Sequence, residues 1–472
     1  SKIDKAIAMQ QKMIDLLNER KQIIVQNAVT KGLDDKVEMK DSGVEWIGEV
    51  PSHWNICKLK HLSHIFGRIG FRGYNQTDLV GEGEGAITLS PSNMQNGKMN
   101  YDKCSYLSWY KYNESPEIKI YDGDILFVKT GSTFGKVSYV ANLPMEATIN
   151  PQIVVFKNIK GSNKYLYYLL SNEIVQRQVS LSVGGSTIPT LSQENILNYV
   201  VPVAPKEEQD AIASYLDKKC SEIDNVISAQ QKRIALLQEL KQSVITHAVT
   251  KGLNPNVEMK DSGVEWIGKI PASWDVVHLK RILRERMQYG ANEPAESDDT
   301  TYPRYIRITD ITANGELRPE TFKSLEPSKA KDYLLDKGDV LFARSGATVG
   351  KTFLFNADIK ACYAGYLIKA SCDKRRMLPE YLYYYTQSGA YECWKNSVFI
   401  QSTIQNIGAD KYQMMYIPVP SKDEQKQIVE YTMRKSQIFD AAISKAQHQV
   451  ELLQEYKQSL ITEVVTGKRK VS

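Results

Sequence analysis

Val37-Glu-Met-Lys-Asp-Ser-Gly-Val-Glu-Trp-Ile-Gly48 returns letter for letter at Val257–Gly268, an offset of 220 residues (257 − 37). Just ahead of it, Ala28-Val-Thr-Lys-Gly-Leu33 is echoed by Ala248-Val-Thr-Lys-Gly-Leu253 at the same offset. Matches of that length do not arise by chance between unrelated segments, so the chain carries a duplicated unit, and a repeat takes precedence over local signals. Two copies of one module in one polypeptide imply pseudo-two-fold symmetry and two equivalent surfaces.

Outward from this repeat the pattern turns helical. Across Lys206–Val249, apolar residues recur at Ile212, Leu216, Ile223, Ile227, Ile234, Leu237, Val244 and Ala248, in steps near three and four. That is the seam of a coiled coil or long helix pair. Pro202 and Pro205 precede it, Glu207 and Glu208 suit the first turn, and Gly252 supplies a stop. The helix recurs at the C-terminus: Leu452-Leu-Gln-Glu-Tyr-Lys-Gln-Ser459 answers Leu236-Leu-Gln-Glu-Leu-Lys-Gln-Ser243. A third, incomplete copy opens the chain, where Leu16-Leu-Asn-Glu19 aligns with Leu236–Glu239. Its residues Ile7, Ile14, Leu17, Ile24 and Val25 form one apolar face, and packing against the other helices is expected.

The expected order is a partial helix at 1–38, a domain at 39–202, a helix at 203–256, a second domain at 257–418 and a helix at 419–472. The domains are richer in Tyr, Gly, Thr and β-branched residues, with short apolar runs such as Ile125-Leu-Phe-Val128 and Val340-Leu-Phe-Ala343. They read as strand-rich with some helix, at Tyr165–Leu170 and Glu380–Tyr385, an α+β organisation. Within them the repeat is selective. Asp122–Lys136 matches Lys337–Lys351, whereas Arg68–Gly85 has no counterpart in Met287–Tyr302. A shared scaffold with different loops suits two equivalent docking faces and two non-equivalent ligand faces.

Composition excludes several classes. At 472 residues, with 42% hydrophobic and 24% charged residues, the chain has material for about three globular domains. No stretch reaches a membrane span and no signal peptide pattern opens the sequence, so a cytoplasmic location is expected. The six cysteines contain no C-x-x-C pair, and only Cys57 with His61 and His64 forms a local cluster. Reduced thiols without a metal site are expected. The net charge of +5 permits a nucleic-acid partner where the charge is clustered.

Ser345-Gly-Ala-Thr-Val-Gly-Lys-Thr352 resembles a phosphate-binding P-loop, but Gly346 and Gly350 are separated by three residues where G-x-x-x-x-G-K-[ST] needs four. The sister copy ends Gly135-Lys136-Val137 and lacks the hydroxyl. A strand followed by a Gly-rich basic loop is the better reading, with natural donors to phosphates or base edges. The candidate DNA contacts are Lys129, Thr130, Ser132 and Lys136 in the first domain, and Arg344, Ser345, Thr348 and Lys351 in the second. Arg307 and the paired Ser186-Thr187 and Ser402-Thr403 complete the set. Trp46 with Trp54, and Trp266 with Trp274, occupy identical places in the repeats and read as packing residues. No G-x-S-x-G elbow or amino-methyltransferase motif is present, and Glu117-x-Lys119 lacks a partner acid for nuclease chemistry.

Three motifs carry a resemblance. Asp-Ser-Gly-Val-Glu-Trp-Ile-Gly-x-x-Pro-x-x-Trp (Asp41–Trp54, Asp261–Trp274), Gly-Asp-Ile/Val-Leu-Phe-x-Lys/Arg-x-Gly, and Pro-Val-x-x-x-x-Glu-Gln (Pro202–Gln209, Pro418–Gln425) resemble the specificity subunits of type I restriction–modification enzymes. The likeness runs through nearly the whole chain, twice. It implies two target-recognition domains joined by long antiparallel helices, each reading half of a bipartite, asymmetric DNA sequence. It also implies partners: double-stranded DNA, two DNA-adenine methyltransferase subunits and motor–nuclease subunits. S-adenosylmethionine, ATP and Mg²⁺ would then sit on those partners, with no cofactor and no catalysis in this chain. The extra segment Ser1–Leu33 departs from members that begin near the Asp-Ser-Gly entry. Physical scale agrees: half-sites one turn apart lie roughly 34 Å from each other, a span needing on the order of 20–30 helical residues. The rival readings are a pseudo-symmetric protein-binding scaffold, insensitive to salt, and a P-loop ATPase with turnover of its own.

Overall fold

Ile125-Leu-Phe-Val128 and Asp339-Val-Leu-Phe-Ala343 lack polar alternation, the mark of a strand covered on both faces. In a computed structural model, which describes residues 38–95, 97–183, 190–312, 315–400 and 406–467, both are strands with every residue buried. The chain divides into two units. Described residues up to Ala229, together with those from Val450, form the first, and Gln230–Gln449 form the second. The N-terminal helix copy, Ser1–Leu33, lies outside the described residues.

In the first unit Ile125–Val128 sits within a six-stranded sheet. Its order is His64–Gly67, Ile153–Lys157, Ile125–Val128, Val137–Tyr139, Lys98–Met99 and Met94–Gln95. The first three neighbour pairs are antiparallel. Side-chain alternation then builds two cores. Ile125, Phe127, Val154 and Phe156 face helices Asn163–Ser171 and Glu173–Ser182, while Leu126, Val128, Ile153 and Val155 face Ile87, Leu89 and Ile149. Those last residues belong to the parallel pair Gly85–Leu89 and Ala147–Ile149.

The second unit repeats the plan with fewer strands. Gln288–Tyr289, Leu367–Ala370, Asp339–Ala343 and Thr352–Phe355 form an antiparallel sheet in the same order. Phe342 opposes Ile368 as Phe127 opposes Val154. The parallel pair also recurs, as Arg304–Ile306 with Ala361–Tyr363. Helix Pro379–Tyr385 covers one face, matching Asn163–Ser171. The strands Leu79–Val80, Met94–Gln95, Lys98–Met99 and Ser105–Ser108 extend the first unit, in the part of the sequence where the repeat breaks down.

The long helices run over Lys206–Lys251 and Lys422–Val465. In the first unit Ile212, Leu216 and Ile223 share a core with Leu460, Ile461 and Val464, and Lys457 pairs with Asp224. In the second, Ile245, Ala248 and Val249 share a core with Ile428, and Lys241 pairs with Asp440 at 2.6 Å. Rising numbers on one helix meet falling numbers on the other, so the pairing is antiparallel in each unit.

The repeated motifs are the joints between domain and helix. Asp41 accepts from the Gly43 amide at 2.9 Å and Asp261 from Gly263 at 2.9 Å, closing the same turn with Gly43 and Gly263 at φ +70° and +71°. A residue with Cβ is strained there. Gln209 is buried, accepting from the Ser162 amide at 2.9 Å and donating to the Ala204 carbonyl at 2.9 Å. Gln425 is its twin, accepting from the Leu378 amide at 2.8 Å and donating to the Arg376 and Pro420 carbonyls at 2.9 and 3.0 Å. Each glutamine thus ties the loop before a domain helix to the entry of a long helix.

The six cysteines are free thiols. Burial pushes Cys220 up to about 11 and Cys362 and Cys372 up to about 12, so all three stay protonated near neutrality, whereas Cys393 is exposed.

Two outcomes follow from this packing. Gln425→Leu unpairs buried backbone groups worth ~1–3 kcal/mol each, so we expect a loss of about 2–4 kcal/mol in denaturant unfolding. At pH 8, alkylation with iodoacetamide should modify Cys393 first and reach Cys220, Cys362 and Cys372 only after unfolding, as read by peptide mass.

Candidate nucleic-acid interface

The Gly-rich segment after each buried strand folds as a β-hairpin loop between antiparallel strands. In the first domain Gly135 N–H donates to the Val128 carbonyl at 2.8 Å and Phe134 N–H to Gly131 at 3.1 Å. In the second, Gly350 N–H donates to Ala343 at 2.9 Å and Val349 N–H to Gly346 at 3.1 Å. The amides of Phe134, Gly135 and Lys136, and of Val349, Gly350 and Lys351, are therefore engaged within the loop, and a strand rather than a helix follows it. This is not P-loop geometry.

Both loops are anchored alike at their base. Lys129 N–H donates to the Gln152 carbonyl at 2.8 Å, and the Leu191 amide donates to the Lys129 carbonyl at 2.8 Å. Arg344 N–H donates to the Tyr366 carbonyl at 3.0 Å, and the Ile407 amide donates to the Arg344 carbonyl at 2.8 Å. Thr130 bridges to Thr190 and Ser345 to Asn406. Ser186, Thr187, Ser402 and Thr403 lie outside the described residues, but these bridges bring the chain flanking them to the Gly-rich loops.

The expected contact residues differ in what they already bind. Ser132 and Lys351 are exposed, and Thr130, Ser345 and Thr348 are half-buried. Lys136 reaches the Pro91 carbonyl at 3.4 Å. Among the described residues, neither Lys129 nor Arg344 has an acidic partner. Arg344 lies over the Tyr289 ring, 4.9 Å from its centroid, and its Nε is buried with no hydrogen bond among the described residues. Arg307 stands apart from them. It grips the buried Asp310 through Nε at 3.0 Å and Nη2 at 2.7 Å, and donates to the Thr321 carbonyl at 2.9 Å. That bidentate pair holds its guanidinium charge firmly, raising its pKa chiefly through the Asp310 hydrogen bond. Arg307 is thus committed to the fold.

The Gly-Asp step that opens each strand is also internal. Asp124 accepts from the Tyr121 amide at 2.8 Å and pairs with Lys157; Asp339 accepts from the Asp336 amide at 2.8 Å and from Ser371 at 2.6 Å. Burial pushes both carboxyls up, and these bonds pull against it. Glu117, left without a partner acid in the sequence, pairs with Arg72 at 3.3 Å. Among the described residues no group of three His, Cys, Asp or Glu is placed to hold a metal, and no helix is long and apolar enough to cross a membrane.

Sequence reasoning missed Tyr289, Tyr366 and Gln152. They lie where the two domains do not echo each other, and the only sequence signal was the surplus of tyrosine in those segments.

The family model for the type I restriction modification DNA specificity domain matches residues 74–236 and 271–451. The EcoKI type I restriction enzyme specificity subunit of Escherichia coli K12 is 21% identical over 401 residues, covering 81% of this chain and 82% of its own. The MjaVIII specificity subunit of Methanocaldococcus jannaschii is 26% identical over 255 residues, 53% of this chain and 57% of its own. A solved chain, from work on complex assembly and conformational transition of the type I R-M system, shares the fold. Its TM-score is 0.64 at 16% identity, covering 89% of this chain and 99% of that one.

Lys351→Ala should weaken duplex binding evenly across sequences and reduce the salt slope by about one, measured by titration at several salt concentrations. Arg307→Ala should instead lower stability by about 2 kcal/mol or more, because Asp310 is left buried and unpaired, with no selective change in duplex sequence preference.

Proposed function

The chain belongs to the type I restriction–modification DNA specificity family, and we propose that it reads a bipartite, asymmetric DNA target, one half per domain. It is the non-catalytic recognition subunit of such a system. The observation that carries the bipartite reading is the contrast between its two domains. The same sheet order, hairpin loop and helix joints recur, while the side chains at the loop bases differ. Identical joints suit identical docking of two partner copies, and unlike loop bases suit unlike half-sites.

On this reading two DNA-adenine methyltransferase subunits dock on the repeated faces, and motor–nuclease subunits join the complex. S-adenosylmethionine, ATP and Mg²⁺ are held by those partners. Lys129, Thr130, Ser132, Lys136, Arg344, Ser345, Thr348 and Lys351 are the described candidates for contact with DNA. Phosphate contacts would supply much of the affinity and base edges the sequence choice. The long helices act as the spacer that sets the distance between half-sites.

Adenine-methylation mapping of DNA from cells expressing this chain with its methyltransferase tests the reading. A bipartite motif with a non-specific gap is expected; a continuous motif, or none, would overturn it. A matched one-turn insertion in both long helices adds about 5.4 Å against ~3.4 Å per base pair, so the gap should grow by about one or two base pairs. An unchanged gap would remove the spacer role.

A further inference from the structure

The two domains hold the same backbone position against different surroundings. The residue after the buried strand is Lys129 in one and Arg344 in the other. Each has its N–H on the carbonyl of an exposed neighbour, Gln152 or Tyr366, and its own carbonyl on the returning chain at Leu191 or Ile407. Strand register carries the match further. Val154 opposes Gly67 in the first sheet, and Ile368 opposes Tyr289 in the second. Where the second domain presents a tyrosine ring, the first has a glycine. A Cβ added at Gly67 would stand 3.0 Å from both Gln193 Nε2 and Val154 Cγ1, so a ring has no room there without rearrangement.

Tyr289 is itself held at both ends. Its backbone pairs with Ile368, and its hydroxyl accepts from the Ala409 amide at 3.0 Å. The Arg344 guanidinium rests 4.9 Å above this ring, and its Nε is walled off from solvent without a hydrogen-bond partner among the described residues. The backbone of Arg344 is fixed on both sides, and no carboxylate among the described residues neutralises the charge. Beside it Tyr366 is 66% exposed. A planar cation stacked on a tethered ring loses little rotamer freedom on binding. With Nε enclosed, the terminal amino groups remain to make contacts, a two-pronged donor that matches guanine O6 and N7 in the major groove. A phosphate contact alone would need neither the ring nor the enclosed Nε.

We propose that Arg344, stacked on Tyr289, is the residue by which the second domain reads a guanine in its half-site. This rests on the DNA-recognition reading above and deepens it. Lys129 occupies the matching position in the first domain, where Gly67 stands in place of Tyr289, so the two domains use one backbone position to read different bases.

Methylation mapping with the full chain and its methyltransferase tests this through Arg344→Gln and Arg344→Lys. Arg344→Gln should relax or change one guanine in a single half-site, reducing discrimination there by on the order of 5- to 150-fold, while the other half-site is unchanged. Arg344→Lys keeps the charge without the planar fork, so discrimination at that guanine should fall by a smaller factor. Tyr289→Leu, which removes the platform, should loosen the same position. Unchanged melting temperature and retained methyltransferase binding separate these effects from misfolding. A parent motif that survives both Arg344 substitutions, or an even weakening at every position, overturns the assignment while leaving the bipartite reading intact. A parent chain that directs no bipartite motif overturns both.

Discussion

The chain is organised around a tryptophan on which two helix ends converge. In the first unit Trp54 is 2% exposed and its indole N–H donates to Glu208 at 2.9 Å, in the first turn of one long helix. The far end of the other long helix closes on the same ring. Gly467, at φ +71°, is packed so that an added Cβ would stand 3.1 Å from Trp54 and 2.4 Å from Pro51. In the second unit Trp274 donates to Glu424 at 3.2 Å, and Gly252, at φ +74°, closes on it the same way. Burying a ring of this size contributes on the order of 4–6 kcal/mol at ~25 cal/mol per Å². The greater consequence is geometric. Hydrogen bond, ring contact and glutamine clasp together tie each domain to its helix ends at separate points.

That rigidity at the joint is what allows the loops to differ. Each central sheet is sealed by apolar layers on both faces, and the hairpin loops emerge from its strand ends with their closing amides, 134–136 and 349–351, bonded internally. Side chains at the loop base can therefore change without disturbing register or core. The first domain uses this freedom to add strands around 79–108, and the second uses it to place a tyrosine under an arginine. A binding residue set on rigid strands is better oriented than one on a long loop.

Arg307 and Arg344 look alike as letters and behave differently as groups. Arg307 lies three residues before Asp310, which is buried and ionically tied to it, so its charge serves the fold. Arg344 meets an aromatic face and no carboxylate among the described residues. The i,i+3 acid was visible in the sequence for Arg307. The stacking partner of Arg344 was not, because Tyr289 is brought to it by antiparallel pairing across Leu367–Ala370. The tryptophans divide similarly. Trp54 and Trp274 are ring-buried joints, as packing residues should be, whereas Trp46 and Trp266 are half-buried with an enclosed indole N–H that has no partner among the described residues.

The sequence alone determined the duplication, the alternation of strand-rich domains with long helices, and the family, because each repeated motif does a backbone-specific task that few residues can perform. Asp-Ser-Gly closes a turn that needs positive φ, the Gly-Asp carboxylate caps a strand entry, and Glu-Gln joins helix to domain. Local chemistry of that kind is written in neighbouring letters. The tertiary structure alone decided which cations are available, which loops share a base, and which ring lies under which guanidinium. Those are contacts between residues far apart in the chain, and strand pairing creates them without leaving a pattern in the sequence.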